Sequence, residues 1–387
     1  MASTSSSERA AGAGVADAPA PDPLVHVAFN QHGTHFVAAT ATGFHVFSCH
    51  LLERVMHRSG PAVASPGRTV SSAELLTRSE LAVVTRGPDA DDTIDFWNGM
   101  CMEPKVASVR SSHGAVGGIR LHGEYTLVAY EQKARLYFGG NMDNKVTTGP
   151  NPLGLCAMAA GTEGHPLVSY ALPRQLVGEV QVLRRLTSGT VDVRAHDSAV
   201  ACIALSHDGR LLATAGTRGT LVRVFSTADG SKLQELRRGT DGAIIYCIAF
   251  SPDSKWLAVA SDKATVHVFR LDDFDLTSSS PEDGGDFVLL PTSPIPSSAA
   301  QGKAKQGSSL SFLKGYLPTY FSSEWSFAQF RVRKATKCSV AFDQQHPNTI
   351  TIVGIDRSFY RCEFDPVKGG AMQELKYYRN FMDTSMK

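Results

Sequence analysis

Apolar residues along this chain fall in short runs, and the runs are separated by Gly, Asp, Asn or Pro. This spacing predicts short β-strands joined by tight turns, and stretches with helical periodicity are nearly absent. The runs also recur. "CIALSHDGRLLATAGTRGTLVRVF" at 202–225 aligns with "CIAFSPDSKWLAVASDKATVHVF" at 247–269, a period of about 45 residues, which falls in the range of β-propeller blades. Fainter copies stand at 27–47, "VAFNQHGTHFVAATATGFHVF", and at 340–364, "VAFDQQHPNTITIVGIDRSFYRCEF". Three more units fit near 72–108, 115–148 and 155–195, which makes seven. Four short strands per unit, turned by groups such as His207-Asp208-Gly209 and Pro252-Asp253-Ser254, describe a blade. No blade buries its two faces alone, whereas a closed ring does. The expected fold is all-β, a seven-bladed β-propeller forming a single domain over 24–380. A pair of β-sandwiches would not explain the repeat.

One blade is interrupted. After "TVHVFRL" (265–271) the expected short turn becomes a long loop, 272–324, and loops of this length are functional or disordered. Its first part is rich in Ser, Pro and Gly. Its end carries Leu310, Phe312, Leu313, Tyr316, Leu317, Tyr320 and Phe321, with only Lys303, Lys305 and Lys314 charged between Gly302 and Tyr320, and Pro318 forbids a long regular helix. Two readings stand side by side: the segment folds back on the flank of the ring, or it dips into a bilayer interface.

Composition sharpens this picture. Apolar residues make up 42% of the 387 and charged ones 19%, so a large core is expected. With 38 basic and 37 acidic residues the net charge is +1, and a polyanion would be met locally rather than by a global basic field; nucleic acid is not an expected partner. The seven cysteines show no Cys-x-x-Cys pair and no zinc-ligand spacing. Several stand in apolar strands as buried thiols, which points to a reducing, cytoplasmic compartment. Residues 1–23 are small, polar and proline-punctuated, the composition of a disordered tail rather than of a signal or transit peptide. No apolar stretch reaches the roughly 20 residues needed to span a bilayer. No phosphate-cradling Gly-rich loop, metal-ligand spacing or nucleophile motif is present, so neither catalytic residues nor a metal or other cofactor is expected.

The candidate chemistry centres on Arg237-Arg238-Gly239, at the junction of two repeats. Adjacent strand residues point to opposite faces, so the two guanidinium groups address different neighbours. Toward the earlier blade lie His196, Arg218 and Thr220; toward the later one lie Ser261, Lys263, Thr265 and His267. Each set, with its arginine of the pair, combines guanidinium, hydroxyl and imidazole donors, which suits a phosphate monoester. A structural role competes for His196, Thr220 and Asp262, since propeller blades tie their strands with His, Ser/Thr and Asp networks. The arginine pair has no acidic neighbour before Asp241 and would be expensive to bury unpaired.

At these residues the chain resembles the phosphoinositide-binding propellers, the PROPPIN family (the autophagy-related protein 18 and WIPI group), whose hallmark is Phe-Arg-Arg-Gly. "LRRGTDGAIIYCIAFSPDSKWLAVASDKATVHVF", "FNQHGTHFVAATATGFHVF", "NPLGLCAM", "GTLVRVF" and "LPTYFSSEWSFAQFRV" all carry the likeness, from about residue 24 to 380. The resemblance implies a seven-bladed ring that binds phosphatidylinositol 3-phosphate and phosphatidylinositol 3,5-bisphosphate as an effector of autophagosome formation. It implies a first site of His196, Arg218, Thr220 and Arg237 and a second of Arg238, Ser261, Lys263, Thr265 and His267. It also implies a membrane-inserting sixth-blade loop through Phe312, Leu313, Tyr316, Leu317, Tyr320 and Phe321. Localisation would be cytoplasmic, peripherally on preautophagosomal, endosomal or vacuolar membranes. The sequence departs from the family's pattern in places: Leu236 replaces Phe, and Gly216 stands where relatives carry Ser, which removes a hydroxyl from the first site. Phe29-Asn30-Gln31-His32 and "GPDADDTIDFW" (87–97) also differ, in regions the family associates with docking of the autophagy lipid-transfer protein, a further expected partner. The rival expectation is a WD-repeat protein-interaction scaffold whose arginines grip an acidic peptide without lipid specificity.

Overall fold

The computed structural model describes residues 22–88, 92–101, 105–160, 168–185, 189–274 and 323–383. The expected tail lies almost wholly outside these residues. So does most of the expected loop, including Phe312, Leu313, Tyr316, Leu317, Tyr320 and Phe321.

Seven antiparallel sheets follow one another along the chain, each a meander of consecutive strands. Their spans are 24–59, 69–110, 118–147, 157–194, 200–237, 245–331 and 338–378, numbered here as blades 1 to 7. The local cause of the repeat is visible at its turns. In blade 5 the Ser206 hydroxyl donates to Asp208 Oδ1 (2.6 Å) and accepts from the Leu211 amide (2.9 Å). In blade 6 Ser251 does the same with Asp253 (2.6 Å) and the Trp256 amide (3.0 Å). Blade 1 replaces this device with Asn30, whose Oδ1 accepts from the amides of Thr34 and His35, each at 3.0 Å. Short polar side chains thus close the turn that the apolar runs leave open.

Second strands such as Leu211–Gly216, Trp256–Ser261 and Thr349–Gly354 are buried at every position, because neighbouring blades cover both faces. The outermost strand of blade 2, Lys105–Arg110, is exposed throughout. Between blades, alternate residues interdigitate: Val222, Val224 and Leu236 of blade 5 meet Ile248, Val259 and Phe269 of blade 6. Blades 7 and 1 close the ring without exchanging a strand. Val27, Phe36 and Phe47 pack there on Val353, Phe359 and Phe381, with Phe36 stacked on Phe47 at 5.2 Å and edge-on to Phe381 at 5.2 Å.

Blade 6 is interrupted where the sequence reading expects. Its third strand, Thr265–Arg270, pairs with Ala328–Arg331 across the long insertion. Two features escape that reading. On its way back into blade 6 the chain first adds a two-residue strand, Glu324–Trp325, parallel to the outermost strand of blade 5. Gly370–Ala371 likewise extends blade 6.

Candidate functional site

Arg237 ends the outermost strand of blade 5, Lys232–Arg237, opposite Leu221. The row Arg223, Glu235 and Arg237 faces blade 4, because Val222, Val224 and Leu236 between them enter the core against blade 6. Arg238 turns the other way, close enough to His267 to depress its basicity. The opposed directions agree with the strand alternation, and both side chains are buried, at 9% and 6% exposure. They reach this state by different means. Arg237 Nε donates to Ser323 Oγ (2.7 Å), at the returning end of the long insertion. Arg238 donates from Nε to the Gly219 carbonyl (3.0 Å) and from Nη2 to the Asp241 carbonyl. Among the described residues no carboxylate forms an ion pair with Arg238, and burial depresses its guanidinium pKa against the opposing charges of Asp262 and Asp241.

Between blades 4 and 5, His196, Arg218 and Thr220 line a small cleft of about 80 Å³ together with Ser198, Gly216 and Arg223. Arg237 is not among its lining residues. His196 is tied to Thr214, with Nε2 and Oγ1 2.9 Å apart, as the structural role would have it. Burial, and then the Arg223 charge, push its imidazole down to about 4, so the ring is neutral near pH 7 in the free protein. Arg223 is held by Glu235 (2.9 Å) and the Ala195 carbonyl (2.7 Å). The hydroxyl missing at Gly216 has a substitute, since Ser198 Oγ lies 2.7 Å from the place a Cβ on Gly216 would occupy. Sequence reading missed both Ser198, which belongs to the linker between blades, and Arg223, which strand alternation places on the same face as Leu221.

Between blades 5 and 6, Ser261 and His267 are buried beside Arg238, Thr265 is half-buried and Lys263 is exposed. Lys263 Nζ lies 3.9 Å from Asp262, which itself caps the Ile244 amide (3.0 Å). The Ser261 hydroxyl accepts from the Lys263 amide at 3.4 Å, and Thr265 Oγ1 donates to the Lys263 carbonyl at 3.4 Å. Burial, and then Arg238, lower His267 to about 4. Its Nδ1 pairs with Ser326 Oγ at 3.1 Å, a residue of the insertion's return that no repeat places there. The two clusters therefore share one blade edge and present guanidinium, hydroxyl and neutral imidazole groups, a donor set for phosphate oxygens.

Elsewhere an apolar cavity of about 580 Å³ separates blades 2 and 3, lined by Trp97, Val106, Val109, Leu121 and Tyr137 among others. Residues 89–91 of the second-blade segment lie outside the described residues. In the first blade, Gln31 donates to the Leu121 carbonyl (3.1 Å) and His32 meets Gln344 (2.7 Å). All seven cysteines are free thiols, Cys101 alone fully exposed.

The model of the PROPPIN family matches residues 23–290. Autophagy-related protein 18e of Arabidopsis thaliana is 35% identical over 379 residues, covering 93% of this chain and 89% of that protein. Among solved structures, Hsv2 of Kluyveromyces lactis superposes with a TM-score of 0.68 at 23% identity over 92% of this chain and 99% of that one. A structure described as a complex of KlAtg21 with the coiled coil of AgAtg16 gives 0.68 at 17%, with the same coverage. Ring, arginine pair and match together lead to one conclusion: the chain belongs to the PROPPIN family.

Proposed function

We propose that this protein is a peripheral membrane protein that recognises phosphatidylinositol 3-phosphate and phosphatidylinositol 3,5-bisphosphate through the two clusters flanking Arg237 and Arg238, and acts as an effector of autophagosome formation. One observation carries the reading. Among the described residues Arg238 is a buried cation hydrogen-bonded to backbone carbonyls and in no ion pair, beside a neutral imidazole, with Asp262 and Asp241 acting on it only at longer range, and such a charge is stabilised by an incoming anion. Arg218, Thr220, His196 and Arg237 form the first site, with Ser198 added. Arg238, Ser261, Lys263, Thr265 and His267 form the second. Phosphate oxygens displace the Asp241 and Gly219 carbonyls or share the guanidinium with them, and the hydroxyls complete the shell. No step requires bond making, and the role is that of a binding protein, not an enzyme.

The segment holding Phe312, Leu313, Tyr316, Leu317, Tyr320 and Phe321 adds apolar membrane contact, and the lipid-transfer protein docks at the first-blade turn Phe29–His32 and the second-blade segment 87–97. The protein works from the cytoplasm on preautophagosomal, endosomal or vacuolar membranes. A vesicle-sedimentation panel across all phosphoinositides tests this. Retention by 3-phosphorylated lipids alone is expected, and replacing Phe312, Leu313, Leu317 and Phe321 by Ser is expected to release the protein from vesicles while soluble headgroup still binds. Equal retention by every anionic lipid, or by none, would favour the scaffold reading instead.

A further inference from the structure

The interface between blades 7 and 1 repeats the backbone plan of the cluster between blades 5 and 6. His45 stands opposite Ala38 in the second strand of blade 1, and His267 stands opposite Val259 in the second strand of blade 6. Two residues after those partners come Thr40 and Ser261, which pair with Leu24 and Ile245, each immediately before a one-residue bulge. Both imidazoles stack on the phenylalanine two positions on, at 6.2 Å in each case: His45 on Phe47 and His267 on Phe269. The fourth strand differs. His267 faces Gln329, whereas His45 faces His57, with ring centroids 4.1 Å apart. Arg54 lies on the same face, opposite Phe47.

The arginine of this interface comes from blade 7. Arg357 occupies the turn between the second and third strands of blade 7 with φ of 72°, a left-handed conformation that non-glycine residues adopt only under constraint. From there its charge reaches His45, as that of Arg238 reaches His267. Burial, and then His57, Arg54 and Arg357, push His45 down to about 3; the charge of Asp22 opposes them.

Asp22 sits where a ligand would. Its Oδ2 accepts from the Thr42 hydroxyl (2.7 Å) and the Thr42 amide (3.2 Å), and its carbonyl accepts from Arg357 Nη2 (2.8 Å). Although partial burial works the other way, hydrogen bonds from Thr42 and Thr40 and the Arg357 charge hold its carboxyl below the ordinary value. One carboxylate does not satisfy the whole set. His45, 9% exposed, keeps a buried Nδ1 with no hydrogen-bond partner among the described residues, and the buried Nε of Arg54 has none either. We infer that the blade 7–blade 1 interface is a third anion site, built from His45, His57, Arg54, Arg357, Thr40 and Thr42 for a phosphate monoester and plugged in the free protein by the carboxylate of Asp22. A dianion with three terminal oxygens reaches donors that a single carboxylate leaves unmet.

The inference concerns a different interface from that of the arginine pair and stands whether or not that pair binds lipid. Its test is isothermal calorimetry of the full chain with inorganic phosphate and with soluble inositol 1,3-bisphosphate, and flotation with vesicles of neutral lipid and phosphatidylinositol 3-phosphate. Asp22→Asn is expected to add one binding site over the unsubstituted chain, or to tighten an existing weak one roughly tenfold, the size of a single charge-assisted hydrogen bond. Asp22→Asn with Arg357→Asn, an amide that tolerates the left-handed backbone, is expected to lose it. Asp22→Asn with Arg238→Met is expected to keep it, which separates this site from the other. A gain for the soluble phosphates alone identifies a free ligand; a gain that extends to the vesicles identifies a lipid headgroup. Unchanged stoichiometry and affinity in Asp22→Asn would overturn the inference, and so would a lowered melting temperature with no added site, since Asp22 would then be only a turn cap.

Discussion

Replacing Arg238 by Met separates the guanidinium's two roles, because Met retains most of the buried stem while removing charge and donors. On the side of stability, two hydrogen bonds are lost, to the carbonyls of Gly219 and Asp241. Each is worth about 1 kcal/mol net, and carbonyls tolerate the loss of one partner. Against this, the fold no longer holds a desolvated cation, a penalty visible in the depressed guanidinium pKa. The two contributions oppose, so the net change is about 2 kcal/mol or less, a few degrees in melting temperature. On the side of binding, nothing compensates. Losing a fork of charge-assisted bonds to phosphate costs about 3 kcal/mol, roughly 150-fold at that cluster. On a vesicle the loss of one of two linked sites also removes the avidity gain, roughly 10²–10⁴. Calorimetry with soluble headgroup is expected to show stoichiometry falling from two to one, and vesicle affinity is expected to fall by at least two orders of magnitude. Two sites persisting in Arg238→Met would refute the assignment. A collapse of the melting temperature by more than about ten degrees would show that the residue is structural. Arg237→Met is the matched control: it removes the donor to Ser323 and is expected to speed proteolysis near residues 323–327 as well as weaken binding.

Gly216→Ser, which restores the residue that relatives carry, is expected to leave headgroup affinity within about twofold, because Ser198 Oγ already holds that place; a new Cβ would meet it at 2.7 Å and His196 Cγ at 3.1 Å. Rotation of Ser198 relieves the first contact, so the fold survives, and a rise in affinity beyond tenfold would contradict the role given to Ser198. The buried imidazoles make stability pH-dependent. His45, His196 and His267 are pushed down to about 3, 4 and 4, below the unfolded value of about 6.5. The unfolded chain therefore takes up protons first as pH falls, and each imidazole removes up to about 1.4 kcal/mol per pH unit below about 6.5. Glu74, raised to about 7 by burial despite Arg120 at 3.2 Å, works the opposite way over the range above its unfolded value, and offsets one of the three. The melting temperature is expected to drop between about pH 6.5 and 5; a flat or rising profile would contradict these burial assignments.

Much of the ring was legible because its information is local. Ser206 and Asp208, or Ser251 and Asp253, lie two residues apart and close their turns by themselves, so a repeat in the sequence becomes a repeat in the backbone. The arginine pair was legible for the same reason, since alternation along a strand sends neighbours to opposite sides. What the sequence hid depends on partners far along the chain. Ser323 meets Arg237 and Ser326 meets His267 only because the insertion returns past blade 5 before it joins blade 6. Two strand residues, Glu324 and Trp325, carry no pattern that would announce that detour. The burial of Arg237 follows from it, whereas Arg238 is held by the Gly219 and Asp241 carbonyls of the neighbouring turns.

The same division explains why three blade interfaces with similar frames differ in what they can hold. "GFHVF", "LVRVF" and "TVHVF" in blades 1, 5 and 6 put His45, Arg223 and His267 at one register position, two before a phenylalanine and facing the preceding blade. That local pattern fixes where a polar side chain enters each interface. The non-repeating groups around it fix what it can meet: Glu235 neutralises Arg223, two backbone carbonyls leave Arg238 charged beside His267, and Asp22 covers Thr42 and Arg357 in front of His45. A cleft is open to an anion to the extent that no carboxylate of the chain already answers its cations. By that criterion the blade 5–blade 6 cluster is the strongest candidate: among the described residues its buried guanidinium donates to carbonyls and forms no ion pair, although Lys263 beside it already meets Asp262. The blade 4–blade 5 cleft depends on the exposed Arg218, because Arg223 is already paired. The blade 7–blade 1 interface stays closed until one carboxylate leaves.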